Sequence, residues 1–358
     1  MTDICVKLYC RVILLFVGII AATSCSKGED PEYELPRKAK VTFMAPVNGL
    51  GDNSYNDNIA DGVLSFVQKS GVRLSMLRPA SMSEAESLYR RWLSENEASD
   101  SAVMVLGGTA YETMAAGFPT SFSGNGCRVL VVESDSGETP EGVSSVYVCR
   151  YGAAWLAGAM SREFDVRIMA AAPGFNTLDA AIGGFREGHA AQREPERTLE
   201  LSYLAEGEEG FIMPDSAYRM ACDIYGIGFG KTEMIFPLLG ESEKGLIRYA
   251  NYDVFFQSLI IGMDVDQSGL CPRIPFSMVI NIGEVVNRYL HDWIEGEDWP
   301  KSSVTGLREG DTGIIFNDTF EKNLTIWDDR YATVEIFKDY YNQYLQEAMR
   351  KEDEYVGK

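Results

Sequence analysis

The chain gathers side chains that can hold a polar ligand, without the set that breaks bonds. The run Asn48-Gly-Leu-Gly-Asp52-Asn-Ser54-Tyr55-Asn56-Asp57 puts a carboxylate, a hydroxyl, a phenol and an amide within five positions. Asp52 can accept hydrogen bonds from a ligand's N–H groups, and Ser54 and Asn56 add a hydroxyl and an amide. Asp264 and Asp266 follow the apolar run Leu259-Ile-Ile-Gly262 and can accept from ligand hydroxyls. Hydrogen bonds to an ionised carboxylate are among the stronger polar anchors. Each of these residues has a plainer alternative as a solvated loop acid or a helix cap, and Asn56 or Asp57 suits the capping role.

Catalysis has little support. The two histidines, His189 and His291, fall in helix-like segments with no His or Cys partner at zinc spacing. No Gly-x-Ser-x-Gly elbow occurs. No catalytic residue, metal or cofactor is expected, and the chain reads as a binder rather than an enzyme. The segment Gly226-Ile-Gly-Phe-Gly230-Lys231-Thr232 imitates a phosphate loop, but Tyr225 stands at the first glycine position and a strand follows where a helix is needed. The run from Asp264 imitates a calcium loop, but Pro275 occupies its twelfth position.

The first 24 residues have the order of an export signal. Lys7 and Arg11 precede an apolar run over 12–22, too short to span a bilayer comfortably. Ala22-Thr23-Ser24-Cys25 resembles a lipobox, which implies acylation of Cys25 and anchoring to the bacterial cell envelope, on its periplasmic face or outer surface. Acyl chains contribute about 0.8 kcal/mol per buried CH₂. Residues 25–39 form a polar tether. A formal charge of -21 argues against a nucleic-acid surface, which needs clustered Lys and Arg. Beyond Cys25 remain Cys127, Cys149, Cys222 and Cys271, with no CxxC spacing. Buried free thiols and disulfides are both open.

These groups must be positioned by alternating strands and helices. Strand-like runs at 40–46, 72–77, 102–106 and 128–132 alternate with helical segments at 56–70 and 83–96, the latter opening with a Ser83-x-x-Glu86 capping-box spacing. The run 102–106 ends in Gly107-Gly108. A second series starts near Tyr151, with helices at 153–163, 177–192 and 215–225 and strands at 167–172, 198–204 and 233–239. Strands at 276–280 and 313–316 and helices at 283–295 and 332–350 close the chain. This alternation predicts an α/β architecture of two doubly wound, Rossmann-like lobes with mostly parallel sheets. Lobe 1 is expected over 40–149 with a return near 263–295, and lobe 2 over 150–262 with a return near 305–352. Ligands of such sheets bind beyond the carboxyl ends of the strands, here in the cleft between the lobes.

Five segments in order resemble the basic membrane protein family of bacterial lipoproteins, also called the PnrA-like purine-nucleoside-binding family. They are Gly51-Asp52-Asn53-Ser54-Tyr55-Asn56-Asp57 with Gly62, Tyr151-Gly-Ala-Ala-Trp-Leu-Ala-Gly158, Gly183-Gly-Phe-Arg-Glu-Gly188, Glu233-Met-Ile-Phe-Pro237 and Ile261-Gly-Met-Asp-Val-Asp-Gln267. The resemblance implies a type I periplasmic binding protein fold, a nucleoside-like ligand and an ABC importer permease as partner. It places Glu133 at the family's ribose-binding acid, with Asp135 nearby as the alternative. It places Gly240 and Gly245 in a loop that lets a sugar approach the backbone. The chain departs from the family at Asn281, where a Lys is usual. It departs again at Ile59 or Ala60 and at Ala181, where aromatic rings are usual. Tyr55, Tyr111, Phe175 and Phe236 are the candidate replacements. The ligand-binding set expected from these readings is Asp52, Ser54, Tyr55, Asn56, Gly108, Glu133, Phe175, Gly240, Asp264 and Asp266. The alternative functions are a binder of another sugar-bearing or polar metabolite, and a ligand sensor signalling to a membrane partner.

Overall fold

The computed structural model describes residues 39–47, 49–52, 54–97, 99, 101–119, 126–134, 139–226, 233–253, 256–320 and 333–357. Cys25, the export signal, most of the tether, Asp135 and all of the imitation phosphate loop after Gly226 lie outside them. The first sheet is built from β1 Lys40–Met44, β2 Arg73–Leu77, β3 Ala102–Leu106, β4 Cys127–Val132, β5 Val143–Val148 and β12 Ser302–Thr305. Its order is β12-β5-β4-β3-β1-β2, with every pair parallel. A parallel sheet covered on both faces needs apolar residues on both faces of each strand. β3 meets this with Ala-Val-Met-Val-Leu, all buried.

Helix α1 Tyr55–Ser70 buries Ile59, Val63 and Phe66, and ends at Gly71, whose φ of 68° suits the left-handed turn that returns its N–H to Val67. Helix α2 Met82–Asn96 is capped two residues earlier than its Ser83–Glu86 spacing suggests. Ser81 Oγ accepts from Glu84 N at 3.2 Å, and Glu84 Oε2 accepts from Ala80 N at 2.8 Å. The pair with the correct spacing at the true boundary prevails, because only there are the first-turn N–H groups free. A single helical turn, α3 Glu112–Ala115, follows β3.

The second lobe starts with α4 Tyr151–Met160, then β6 Asp165–Ala170, α5 Asn176–Gln192, β7 Leu199–Tyr203, α6 Pro214–Tyr225, β8 Glu233–Leu238, α7 Glu243–Tyr252 and β9 Leu259–Ile260. The order β7-β6-β8-β9 is again parallel. Across the single residue Ile261, β9 leads to β10 Gly262–Asp264, which pairs with β11 Phe276–Ile280. β11 also takes the antiparallel β13 Thr312–Phe316. The return into the first lobe is therefore shorter than 263–295. Phe276 and Met278 of β11 fill the second lobe's core with Trp155, Phe185 and Phe337. Only α8 Ile282–Glu295 and β12 cross back, α8 packing Val285, Val286 and Leu290 onto α1 and β1. The last helix, α9 Val334–Val356, lies against α4. Strand β5, strand β12 and helix α7 carry no expectation from the sequence. Among the described residues Cys127, Cys149, Cys222 and Cys271 form no disulfide, and three of them, Cys127, Cys149 and Cys271, are buried.

Helices α4 and α5 cross at backbone contact. A Cβ on Gly158 would collide with the Phe185 carbonyl, one on Gly184 with that of Tyr151, and one on Gly188 with that of Trp155. Gly183 has room, its nearest neighbour being 3.7 Å away. Gly188→Ala is therefore expected to lower stability in urea denaturation by about 1–3 kcal/mol, the usual penalty of overpacking. Gly183→Ala should instead be neutral or stabilise by roughly 0.5–1 kcal/mol through helix propensity.

Candidate functional site

The carboxyl ends of both sheets face one cavity of about 340 Å³. Lobe 1 contributes the loop after β1, Gly107 and Gly108 after β3, Glu133 after β4 and Arg150 after β5. Lobe 2 contributes Phe175, Phe211, Gly240 and Asp264. Among the described residues, only Glu133 and Asp264 combine a side chain beyond Cβ with positive φ, both at 65°. Left-handed backbone at a residue other than Gly, Asn or Asp is uncommon, and such strain clusters at functional sites.

The cavity lining includes a polar group of four residues, Tyr55, Glu133, Arg150 and Asp264, of which Glu133 and Arg150 are buried. Arg150 Nη1 donates to Glu133 Oε2 at 2.7 Å and to the Val148 carbonyl at 3.0 Å. Glu133 is 5% exposed and Arg150 6%. The Arg150 guanidinium lies 5.5 Å from the centre of the Tyr55 ring. Among the described residues Tyr55 OH and Glu133 Oε1 are buried without a well-formed hydrogen bond, although the phenol lies near enough to Glu133 to pull its carboxyl down and Arg150 pulls the phenol down in turn. An unsatisfied buried group costs about 1–3 kcal/mol. Burial pushes the Glu133 carboxyl up from its ordinary pKa, with Arg150 opposing it. The Tyr55 phenol is pushed well up, first by burial and then by Glu133. Asp264 is also pushed up by burial, against the bond from Ser54.

The Asp52 loop does different work from that expected of it. Asp52 Oδ1 accepts from Ser54 N at 3.0 Å and Asp57 N at 3.2 Å, and its Oδ2 accepts from Asn56 N at 2.8 Å. Asn56 Nδ2 donates to the Gly49 carbonyl at 3.0 Å, and Asp57 Oδ1 accepts from Gly51 N at 2.8 Å. Asp52 and Asn56 border the cavity, but their hydrogen bonds staple the loop and cap α1. Ser54 Oγ donates to Asp264 Oδ2 at 2.7 Å across the two lobes. Lys244 Nζ reaches the Gly51 carbonyl at 3.1 Å from the second lobe. The loop is thus where the lobes meet.

Other expectations separate in the same way. Asp266 is exposed, accepts from Ser268 N at 3.0 Å and does not border the cavity. It lies two residues past the end of β10, where the chain has left the strand. Gly108 and Gly240 border the cavity, and Thr109 beside Gly108 donates to the Glu133 carbonyl at 2.7 Å. Phe175 stands edge-on to Phe211 at 5.1 Å, and both line the second-lobe wall. Phe236 is core, stacked on Phe185 at 4.4 Å. Tyr111 borders the cavity with its hydroxyl donated to the Ala45 carbonyl at 2.6 Å. Asn281 donates to the Gly310 carbonyl at 2.8 Å and stays outside the cavity lining.

Sequence reasoning missed Arg150 and Phe211. Arg150 had a usable signal: a lone cation directly after the apolar run Val143-Ser-Ser-Val-Tyr-Val-Cys149. It also missed Glu243, a buried carboxyl behind the Asp264 turn. Gln267 donates to Glu243 Oε2 at 3.2 Å and accepts from Met263 N at 2.9 Å, holding that turn. Burial and then the nearby Asp264 charge keep Glu243 well above the ordinary carboxyl range, against the bond from Gln267. Among the described residues no group of three or more His, Cys, Asp or Glu is placed to hold a metal ion. No helix among them is long and apolar enough to cross a membrane.

No protein-family model matches the chain, and no curated protein matches it by sequence. Solved structures do match. An ABC transporter solute-binding protein from Aeropyrum pernix superposes with a TM-score of 0.66 at 16% identity, covering 88% of this chain and 90% of that one. A transcriptional activator of the comK gene from Bacillus halodurans gives 0.63 at 14% identity, covering 86% and 98%. An ABC transporter solute-binding protein from Burkholderia graminis, in complex with D-arabinose, gives 0.57 at 14% identity, covering 80% and 98%. Identities this low carry the fold and leave the ligand open. The chain has the two-lobed α/β architecture of the type I periplasmic binding proteins.

Proposed function

We propose that the chain is a lipid-anchored extracytoplasmic binding protein that captures a nucleoside for an ABC importer. The observation that carries the reading is the interlobe cavity, in whose lining Tyr55 OH and Glu133 Oε1 are buried without a well-formed hydrogen bond among the described residues. A ligand hydroxyl answers both, donating to the carboxylate and accepting from the phenol. The second-lobe side of the cavity carries Phe175, Phe211, Leu178, Leu238 and Leu239, with Thr177, Glu208 and Glu241 among them. A flat ring suits that wall, since edge and face contacts between aromatic rings add about 0.5–1.5 kcal/mol beyond burial. A nucleoside combines the two chemistries in one molecule. The cavity volume of about 340 Å³ suits a ligand of that size. Glu133 and Asp264 beside a single buried cation disfavour an anionic ligand such as a nucleotide. Membership of the basic membrane protein family, acylation of Cys25 and docking to a permease belong to the same proposal.

A second reading has specific support. The solved relatives include binding proteins in complex with D-arabinose and with D-allose, and also transcription regulators. A free sugar is therefore the alternative ligand, and sensing is the alternative to transport.

Thermal melting of residues 26–358 tests the ligand class. Inosine, adenosine, guanosine, cytidine and uridine are compared with D-ribose, D-arabinose and D-allose. A ligand present at a hundred times its Kd adds about 2.7 kcal/mol to the native state. At least one nucleoside is expected to raise Tm more than any free sugar. A shift with sugars alone selects the second reading, and no shift with either class removes both. Tyr55→Phe keeps the ring under Arg150 and deletes the free hydroxyl. Calorimetry should show binding weakened by about 0.5–1.5 kcal/mol, the net worth of one hydrogen bond. The melting point of the free protein should be unchanged or higher.

A further inference from the structure

Three connections join the lobes: Cys149 and Arg150 between β5 and α4, Asn281 between β11 and α8, and residues 306–311 between β12 and β13. Two buried carboxylates grip their ends. Asp311 serves the first-lobe side. Its Oδ1 and Oδ2 accept from Arg288 of α8 at 2.9 and 2.6 Å, Thr305 bonds to it, and its backbone carbonyl accepts from Asn281 N at 2.8 Å. Glu352, 5% exposed near the end of α9, serves the second-lobe side. Its Oε2 accepts from Gly152 N at 2.8 Å and its Oε1 from Leu307 N at 2.7 Å. Glycines at both connections make this approach possible. A Cβ at Gly152 would lie 2.7 Å from Oε2, and one at Gly306 would crowd Oε1 more tightly still.

We propose that Glu352 is a titrating pin of the hinge: its ionised carboxylate fixes the first and third connections to lobe 2, and its protonation releases one of them and weakens ligand binding in the cleft. The chemistry is that of two acceptors. A carboxylate offers both oxygens to the two N–H groups, whereas a carboxylic acid turns one oxygen into a donor. The pin reaches the cleft over a short path. Gly152 is two residues from Arg150, which holds Glu133, and Tyr151 between them stacks on Tyr355 of α9 at 4.3 Å.

The charges around the pin leave it without a close cation. From the first connection the Cys149 thiol faces it, and from the third, Glu309 and Arg308. Arg308 pairs with Asp353, and Lys351 on the same helix pairs with Glu187 and Glu354. Burial raises the Glu352 carboxyl from 4.5 to about 7, while its two N–H bonds and the Cys149 thiol pull down and Glu309 pushes up. Because the folded value lies above the unfolded one, the protonated pin favours the fold. That contribution is full below about pH 4.5 and is lost as pH rises to about 7. Setting the pin therefore opposes stability, as expected of a group kept for control of motion.

The affinity half of the proposal rests on the proposed ligand reading, and the pin half does not. Hydrogen exchange of the Gly152 and Leu307 amides is measured on ligand-free residues 26–358 at pH 6 and pH 8, corrected for intrinsic rates. Because the fold itself loses stability between the two pH values, protection is read relative to core amides that exchange only by global unfolding; on that scale at least one of the two amides should be about tenfold better protected at pH 8, the size of one hydrogen bond of roughly 1.4 kcal/mol. Glu352→Gln should show the acid-form protection at both pH values. Equal wild-type protection at the two pH values overturns the pin without recourse to any variant, as does a Glu352→Gln protein that keeps the wild-type pH response. Inosine affinity should fall several-fold from pH 8 to pH 6 in the wild type. The part of that fall due to the pin should vanish in Glu352→Gln, while any part due to Glu133 and Asp264 persists. An identical affinity profile in both proteins overturns the coupling. A pH-dependent exchange with no nucleoside bound removes the ligand reading and leaves the pin standing.

Discussion

The Arg150–Glu133 ion pair is the contact on which the cleft depends. It joins the ends of two neighbouring strands, β4 and β5, at the point where the chain leaves the first lobe. Both partners are almost fully buried, so the pair must overcome a desolvation penalty of several kcal/mol per ion. It does so with a short bond, the Val148 carbonyl and the Tyr55 ring on Arg150, yet leaves Glu133 Oε1 without a well-formed hydrogen bond among the described residues. Glu133 adopts a left-handed backbone to reach this position. A fold that tolerates a buried ion pair and a strained residue together is organised for something other than stability.

The surrounding architecture is rigid where the pair needs support. α4 begins directly after Arg150 and meets α5 through glycines that leave no room for a Cβ. α1, which carries Tyr55, meets α8 in the same manner, with Gly62 against the Gly283 backbone. Much of what resembles a family in this chain is therefore packing. The glycines of Tyr151-Gly-Ala-Ala-Trp-Leu-Ala-Gly158 and Gly183-Gly-Phe-Arg-Glu-Gly188 make one helix crossing, and Phe236 of Glu233-Met-Ile-Phe-Pro237 stacks beneath it. Gln267 of the last motif pins the turn that bears Asp264. Such motifs report a shared scaffold and say less about the ligand.

The candidate site was legible in its location and only partly in its atoms. The loop from Gly49 to Asp57 does sit at the carboxyl end of β1, as a strand-to-helix turn in an α/β sheet should. Asp52 and Asn56 nonetheless direct their hydrogen bonds to the loop's own backbone, because the first turn of α1 has donors that need partners. Ser54 is taken up by Asp264 from the other lobe. Which polar atoms remain free depends on what every neighbour has already satisfied, and no pattern along the chain records that.

Read alone, the sequence determined the class of the fold. Five-residue apolar runs between amphipathic helices bury both faces only as covered parallel sheets, and that requirement is local to each segment. Tertiary structure decided the rest. It put β11 in the second lobe because Phe276 and Met278 fit that core, a choice made between segments about 120 residues apart. It brought Arg150 over the Tyr55 ring, and Glu352 to Gly152 and Leu307, contacts that no spacing in the chain encodes. Alternation of polar and apolar residues is a short-range property, whereas the pairing of buried charges is settled only when the lobes have folded around them.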